Sequence, residues 1–208
     1  MRFRATLAPI PTRDRPLLRY DYQYEIGAMI YKTLRNDQPD VADQLHESRR
    51  YKPYTFSRLE IPRRRTTKLG IRILCNDTYL WFSSPIRELC FAVANSLMNR
   101  LELSFSGLDF RIVNIQMLDD STKVNNGGRF TTLSPVILRT MKETGESSKT
   151  WDLSPTDDKF KPNLRSNILK RYRSFTGKEP SEDLEVGEID NIHQKRIWIK
   201  DTSHRAYM

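Results

Sequence analysis

The sequence predicts an α+β protein made of two consecutive βαββαβ units, and three features carry this prediction. Segments that alternate apolar and polar residues are interspersed with segments whose apolar residues recur at helical spacing, in the order β-α-β-β-α-β over residues 1–118. A polar segment rich in Gly and Asn, residues 119–128, follows. Residues 129–208 then have the order β-α-β-β. We therefore expect two tandem ferredoxin-like (RRM-like) domains joined by the polar linker, with the second domain incomplete at its C-terminus.

The first strand and the first two helices follow from simple patterns. "RFRATL", residues 2–7, alternates polar and apolar side chains, which predicts a half-buried strand. Helical spacing then joins four apolar residues, namely Ile26, Met29, Ile30 and Leu34. Asp21 is the expected N-cap of this helix, and a short helical turn is expected after Pro39.

In the rest of the first domain, the pattern of residues predicts two strands, a helix and a closing strand. Residues 54–62 and 70–85 contain many β-branched and aromatic side chains and predict the two strands, with a basic loop over residues 63–68 between them. Ser84 is the expected cap of the following helix, with Pro85 in its first position. "DFRIVNIQML" alternates again and predicts the closing strand.

The second half of the chain repeats the order of elements without a visible sequence repeat. A strand bent at Pro135 is expected over residues 129–140, and a basic helix over residues 163–175. Residues 184–200 predict a strand or a hairpin, and residues 202–208 predict the opening of one more strand.

Positive charge is concentrated in the first part of the chain. The 208 residues carry a formal net charge of +9, with a pI near 9.6. Residues 1–84 contain 16 Lys and Arg against 9 Asp and Glu, a net charge of +7. Between residues 49 and 72, nine basic residues accompany a single acid, Glu60. Aromatic side chains that can stack on bases interleave these charges, namely Tyr51, Tyr54 and Phe56.

This basic stripe favours a nucleic-acid partner. A concentrated stripe of Lys and Arg is typical of proteins that bind a phosphate backbone. The alternative is a solvated basic face that serves only solubility. We expect several arginines to bind RNA without a chemical role, namely Arg49, Arg50, Arg63, Arg64, Arg65 and, at the start of the second domain, Arg129.

Other classes of protein are disfavoured by what the sequence lacks. No stretch approaches the ~20 apolar residues of a membrane span, and the N-terminus does not have the pattern of a signal peptide. Cys75 and Cys90 lie in apolar stretches without metal-ligand spacing, so both are expected to be reduced core residues of a cytosolic protein. Without a Walker loop, HExxH or paired CxxC, neither a cofactor nor a metal site is expected.

His46, at the start of the basic stretch, suggests RNA cleavage. Cleavage without a metal needs a base for the ribose 2′-OH, an acid for the departing 5′-oxygen and positive charge for the phosphorane. His46 can donate a proton near neutral pH, Tyr31 lies on the preceding helix, and Lys52 or a neighbouring arginine can hold phosphate oxygens. Each residue also has a simpler interpretation, as a solvated histidine, a half-buried core tyrosine and a surface lysine.

Five segments resemble, in order and spacing, the CRISPR-associated family-six endoribonucleases. They are "MRFRATLAP", "YQYEIGAMIYKTL", "LHESRRYKPYTFSRL", "FTTLSPVILR" and "KRIWIKDTSHRAYM". The resemblance covers nearly the whole chain and implies tandem ferredoxin-like domains. It also implies metal-independent cleavage of precursor CRISPR RNA within its repeats. The RNA's own 2′-OH would attack, leaving 2′,3′-cyclic phosphate and 5′-hydroxyl ends on guide RNAs for antiviral defence.

Position by position, the resemblance implies that Tyr31 is the general base, His46 the general acid and Lys52 the stabiliser of the transition state. The glycine-rich loop that the family carries near its C-terminus, and the strand after it, are not found in this sequence, and "NNGG" at residues 125–128 lies elsewhere. We therefore expect an incomplete second domain and weakened RNA binding.

The expected partner is thus CRISPR repeat RNA, in the cytoplasm and without a membrane, and the sequence leaves a monomer and a homodimer open. The alternative function is a non-catalytic protein that holds repeat RNA or belongs to a CRISPR effector complex. His46 near a tyrosine and a lysine favours the endoribonuclease, because binding alone needs no such set.

Overall fold

The computed structural model describes residues 1–11, 16–47, 51–118, 127–144, 147–181, 183–199 and 202–208. The chain forms two compact units, Met1–Gly128 and Arg129–Met208. Most of the predicted linker, residues 119–126, lies outside the described residues. Within the described part of the chain, no helix is long and apolar enough to span a membrane.

The first unit contains mixed strands and helices. Its described strands are β1 (Arg2–Pro9), β2 (Leu17–Leu18), β3 (Thr55–Phe56), β4 (Arg64–Thr66), β5 (Ile71–Ile73), β6 (Thr78–Ser83), β7 (Glu102–Phe105) and β8 (Leu108–Leu118). Its described helices are α1 (Tyr22–Asp37), α2 (Pro39–Glu47) and α3 (Arg87–Met98).

β1 is the central strand of a five-stranded sheet with the order β3-β6-β1-β8-β7. Every neighbouring pair in this sheet is antiparallel. Four of the strands, in the order β3-β6-β1-β8, form the ferredoxin-like sheet that the sequence predicts, and β7 extends it. Phe3, Ala5 and Leu7 of β1 are buried and alternate with more exposed residues, so one face of the sheet covers the core. α1 and α3 pack against each other, and α3 also contacts β1 and β8.

A second, three-stranded sheet has the order β2-β5-β4, and it corrects two predictions. Residues 70–85 form two strands in different sheets, because Asn76 and Asp77 favour a turn between β5 and β6. Part of the predicted basic loop is the strand β4, in which Arg65 pairs with Arg72 of β5. Regular strand structure in the predicted segment 54–62 is limited to β3, although Glu60 forms an isolated bridge with Tyr79.

Two helix starts differ in detail from prediction. Asp21 occupies the N-cap position of α1, but its carboxylate makes no capping hydrogen bond and instead pairs with Arg19, at 3.2 Å. α3 begins at Arg87, so Pro85 precedes the helix. The Ser84 hydroxyl donates to the Pro53 carbonyl oxygen, at 2.6 Å, and accepts from the Ile86 backbone N–H, at 2.9 Å. Ser84 therefore closes the turn before the helix.

Neither of the two cysteines is in a disulfide, but they differ in burial. Cys90 on α3 is fully buried, whereas Cys75 after β5 is half-buried and packs against the core. Cys90 is therefore a core residue as predicted, and Cys75 lies at the edge of the core.

The second unit consists of two hairpins and a helix. Its described elements are β9 (Arg139–Thr144), β10 (Ser147–Asp152), α4 (Phe160–Thr176), β11 (Gln194–Ile199) and β12 (Thr202–Tyr207). β9 pairs with β10 and β11 with β12, both antiparallel, and Val136 bridges to Tyr207. A small core of Leu138, Leu153 and Phe160 lies between these elements.

The predicted helix and the final predicted strand of this unit are confirmed by α4 and β12. α4 ends at Gly177, whose φ of 67° is the left-handed conformation of a typical helix terminus. The strand β10 was not predicted, because "SSKTWD" has little hydrophobic alternation. The strand expected over residues 129–140 is limited to the start of β9, and residues 184–193 before β11 form no strand.

We predict that Gly70→Ala destabilises the first unit. A Cβ at this position would lie 2.4 Å from the Leu18 backbone carbonyl oxygen, so β2 and β5 would have to separate. The expected loss of unfolding free energy is about 1–3 kcal/mol, measured by hydrogen exchange of the sheet amides.

Gly27→Ala is the matched control for this substitution. Its Cβ would meet only the Phe56 ring, at 3.4 Å, and alanine favours the helix. Equal protection in the Gly70 variant and the wild type would contradict the prediction.

Candidate active site

Tyr31 lies on α1, with its ring half-buried against the core. Buried Ile30 and Leu34 fix this face of the helix against the sheet. The interpretation of Tyr31 as a partly buried core residue is therefore right as far as packing goes. A half-buried phenol keeps a fixed position, as a catalytic residue also requires.

Tyr54 is a second tyrosine at this place, and its part in the site was not predicted from the sequence. Its ring stacks on Phe82 with centroids 5.5 Å apart, and Phe82 stacks on Phe3 at 5.1 Å. Burial raises the pKa of Tyr54, and the neighbouring Tyr31 raises it further. The two phenols are therefore close enough to interact electrostatically.

Lys52 lies two residues before Tyr54, directly before a segment that hydrogen bonds hold in place. The Pro53 carbonyl accepts a hydrogen bond from Ser84, and Ser57 exchanges two hydrogen bonds with the Trp81 backbone, at 2.9 and 3.0 Å. The Lys52 side chain itself is exposed. The structure thus holds the backbone of Lys52 near the tyrosine pair and leaves its ammonium group in solvent.

The backbone of His46 lies in α2, which packs against α1. Ala42 is fully buried, and Val41 and Leu45 pack against the core, so α2 has a fixed position. The His46 side chain, together with Arg49 and Arg50, lies outside what the structure describes. Their predicted roles remain predictions.

The remaining predicted RNA-binding residues lie elsewhere in the chain. Arg63, Arg64 and Arg65 are exposed in or next to β4, in the small sheet rather than in the sheet that contains β3. Arg129 belongs to the second unit and forms an ion pair with Asp190, at 2.5 Å. Among the described residues, no group of three or more His, Cys, Asp or Glu side chains is placed to hold a metal ion.

The second unit contains a polar cluster that was not predicted from the sequence. His204 is 8% exposed, and its Nε2 lies 2.8 Å from Nη2 of Arg139. Because a guanidinium only donates, Nε2 must accept this hydrogen bond. The proton of a neutral His204 is therefore on Nδ1, which lies 3.4 Å from Oδ1 of Asp152.

Asp152 connects the two hairpins through this cluster. Its Oδ2 accepts from the Arg205 backbone N–H, at 2.9 Å, and its Oδ1 lies 3.5 Å from Nε of Arg139. Arg205 also lies over the Trp151 ring, 4.7 Å from the centroid. In the sequence, the alternation of residues along β12 could have indicated that His204 is buried, because His204 and Ala206 both take inward positions.

Known protein families and individual known proteins are similar to this chain over most of its length. The family described as "CRISPR-associated protein Cas6, N-terminal" matches residues 17–116, and "CRISPR associated protein Cas6, C-terminal" matches residues 118–208. The chain is 31% identical over 192 residues to "CRISPR-associated endoribonuclease Cas6 1" of Methanocaldococcus jannaschii, covering 92% of this chain and 74% of that protein. It is 30% identical over 199 residues to a Cas6 endoribonuclease-like protein of Pyrococcus furiosus, covering 95% and 81%.

Solved structures are similar over the full chain. The structure described as "Characterization of a Cas6-related gene from Pyrococcus furiosus" matches with a TM-score of 0.89 and 30% identity, covering 100% of this chain and 84% of the other. The structure described as "An RAMP protein binding different RNA substrates" matches with a TM-score of 0.84 and 29% identity, covering 100% and 85%.

We predict that Asp152→Asn destabilises the second unit by about 1–3 kcal/mol, because a charged acceptor of several hydrogen bonds is lost. Hydrogen exchange of the β9–β12 amides measures the effect. Asp183→Asn is the matched control, since Asp183 pairs with Arg165 at an exposed site where screening weakens ion pairs. An equal effect of both substitutions would show that the Asp152 cluster contributes no more than a surface pair.

Proposed function

This chain belongs to the Cas6 family of CRISPR-associated proteins, and from that premise we propose that it is an endoribonuclease that cleaves precursor CRISPR RNA within its repeats. A relative that is 31% identical over most of the chain is named as an endoribonuclease, and another that is 30% identical is named as an endoribonuclease-like protein. The observation that carries the proposal is the electrostatic interaction between Tyr31 and Tyr54, which brings Tyr31 near the part of the basic stripe that contains Lys52.

The proposed reaction is transesterification by the RNA itself. The ribose 2′-oxygen attacks the adjacent phosphorus, and the bond from phosphorus to the 5′-oxygen breaks. The products are a 2′,3′-cyclic phosphate and a 5′-hydroxyl. Tyr31 in its phenolate form takes the proton of the 2′-OH, and His46 gives a proton to the departing 5′-oxygen. Lys52 lies beside the non-bridging oxygens, whose negative charge grows in the transition state.

Tyr54 has a positioning role in this proposal. Burial and, as the smaller cause, the neighbouring Tyr31 raise the pKa of Tyr54, which favours its protonated form. A phenol that stays protonated can donate a hydrogen bond but does not compete as a base. The stack on Phe82 fixes the direction in which it donates.

The proposed mechanism assigns each step to a protein side chain or to the RNA, and none to a metal ion. We propose CRISPR repeat RNA as the partner and the cytoplasm as the location. We also propose that the two domains are residues 1–118 and 129–208, with residues 119–128 as the linker.

A second candidate function is the binding of repeat RNA without cleavage, alone or within a CRISPR effector complex. It is favoured by the similarity to a solved protein that is described as binding different RNA substrates. The two functions differ in whether repeat RNA is cut by the isolated protein.

We expect His46→Ala to lower the single-turnover cleavage rate by ~10²-fold or more, because the leaving oxygen loses its proton donor. Repeat-RNA affinity should change little. His193→Ala is the matched control, since His193 is exposed in the second unit and should leave the rate unchanged. If the His46 variant cleaves as fast as the wild type, His46 is not the acid.

We expect cleavage of labelled repeat RNA to persist in EDTA. A single 2′-deoxy substitution on the 5′ side of the cut should abolish cleavage, because the attacking oxygen is then missing. Analysis of the product ends should find a 2′,3′-cyclic phosphate. Strict dependence on Mg²⁺, together with normal cutting of the deoxy substrate, would rule out this mechanism. A protein that binds repeat RNA but cuts neither substrate would support the second function.

A further inference from the structure

The small sheet β2-β5-β4 has one apolar and one basic face. Leu18, Ile71 and Ile73 are buried on the inner face, at 0%, 6% and 3% exposure. Arg72 lies between the two isoleucines on β5, so the alternation of the strand directs it outward. Its cross-strand partner on β4 is Arg65, which is therefore on the outer face as well.

The alternation along β4 separates its neighbouring arginines. Arg63 precedes β4, but its carbonyl oxygen accepts from the Leu74 backbone N–H, at 2.9 Å, so the antiparallel pairing extends to it. Arg63 is exposed and, two residues before Arg65, is on the outer face as well. Arg64 pairs with buried Ile73, and its Nη1 donates to the Ile61 carbonyl oxygen, at 2.9 Å. Arg64 is thus held by a hydrogen bond to the backbone, whereas Arg63 and Arg65 share the outer face.

Arg65 and Arg72 form a cross-strand pair of like charge. Directly opposite residues in an antiparallel pair have Cβ atoms about 4.5–5.5 Å apart, where like charges destabilise the sheet. Among the residues that the structure describes, neither guanidinium has a carboxylate partner. Glu60, the one acid of the stripe, instead accepts from Nε1 of Trp81, at 3.3 Å. The repulsion between the two arginines is therefore not offset within the described protein.

The backbone of this sheet is held in place despite the repulsion. The Thr67 hydroxyl accepts from the backbone N–H of Gly70, at 3.2 Å, and donates to its carbonyl, at 2.9 Å. The Tyr20 hydroxyl donates to the Thr67 carbonyl oxygen, at 2.7 Å. The turn between β4 and β5 is thus fixed, so the guanidinium groups remain on one surface.

We propose that Arg63, Arg65 and Arg72 form a binding face for the phosphodiester backbone of single-stranded RNA, with Arg72 as a contact that the basic run in the sequence does not show. Guanidinium groups bind phosphate oxygens through paired, charge-assisted hydrogen bonds. A phosphate bound between Arg65 and Arg72 attracts both guanidinium groups and thereby offsets the repulsion between them. The pair therefore lowers the stability of the free protein and raises its affinity for RNA.

This inference rests on the proposed RNA substrate, and it concerns binding that is independent of base sequence. The probe is fluorescein-labelled oligouridine, whose affinity is measured by anisotropy over a range of salt concentrations. Arg72→Gln should lower the slope of log K against log salt by ~0.7, the value for one phosphate contact on a single strand. Arg100→Gln removes the same charge from a side chain of the same unit that pairs with Asp37, at 3.0 Å, and should leave the slope unchanged.

Thermal unfolding without RNA provides a second, independent measurement. Arg72→Gln should raise the Tm on the order of 1 °C by removing the repulsion, whereas Arg100→Gln should lower the Tm or leave it unchanged, because it removes an ion pair with Asp37. A slope that falls equally in both variants, or a Tm that falls in Arg72→Gln, would overturn the inference. Absence of RNA binding and cleavage in the wild type would instead refute the proposed function.

Discussion

The N-terminal unit depends on the pairing of β1 with two strands that come much later in the chain. Arg2 pairs with Ser83 on one side and with Leu118 on the other. This central position carries Phe3 into the core, and Phe3 starts the aromatic stack that ends at Tyr54. The candidate active site is therefore built on the register of one strand, since a slip of one residue would turn its apolar side chains to the opposite face.

The sequence predicts well those helices and strands in which apolar residues recur at a regular spacing over many residues. β1, α1, α3, α4 and β8 each alternate or repeat over enough residues to decide their structure. β4 and β10 have no such period, because their residues are almost all polar, and only the partner strand defines them. Asn76 and Asp77 interrupt a hydrophobic run that otherwise reads as one strand.

The candidate site could be predicted only in part, for a physical reason. The resemblance to the family implies roles for Tyr31 and Lys52 by position, but spacing alone gives no sign that Tyr54 lies near enough to Tyr31 to affect it. That proximity depends on packing, since the stack on Phe82 holds Tyr54 in place. His204 was missed for the same reason, because its partners Arg139 and Asp152 come from the other hairpin of the second unit. Long-range polar contacts leave no local pattern in a sequence.

The central position of β1 also determines when the site can form during synthesis. A ribosome completes Tyr31 and Lys52 long before it completes β8, the last strand that β1 requires. Contacts between residues so distant in sequence close large loops, and such contacts form slowly. The nascent chain therefore carries the residues of the candidate site for some time without the sheet that supports them. The sheet that supports the candidate site is accordingly complete only once the end of β8 has left the ribosome.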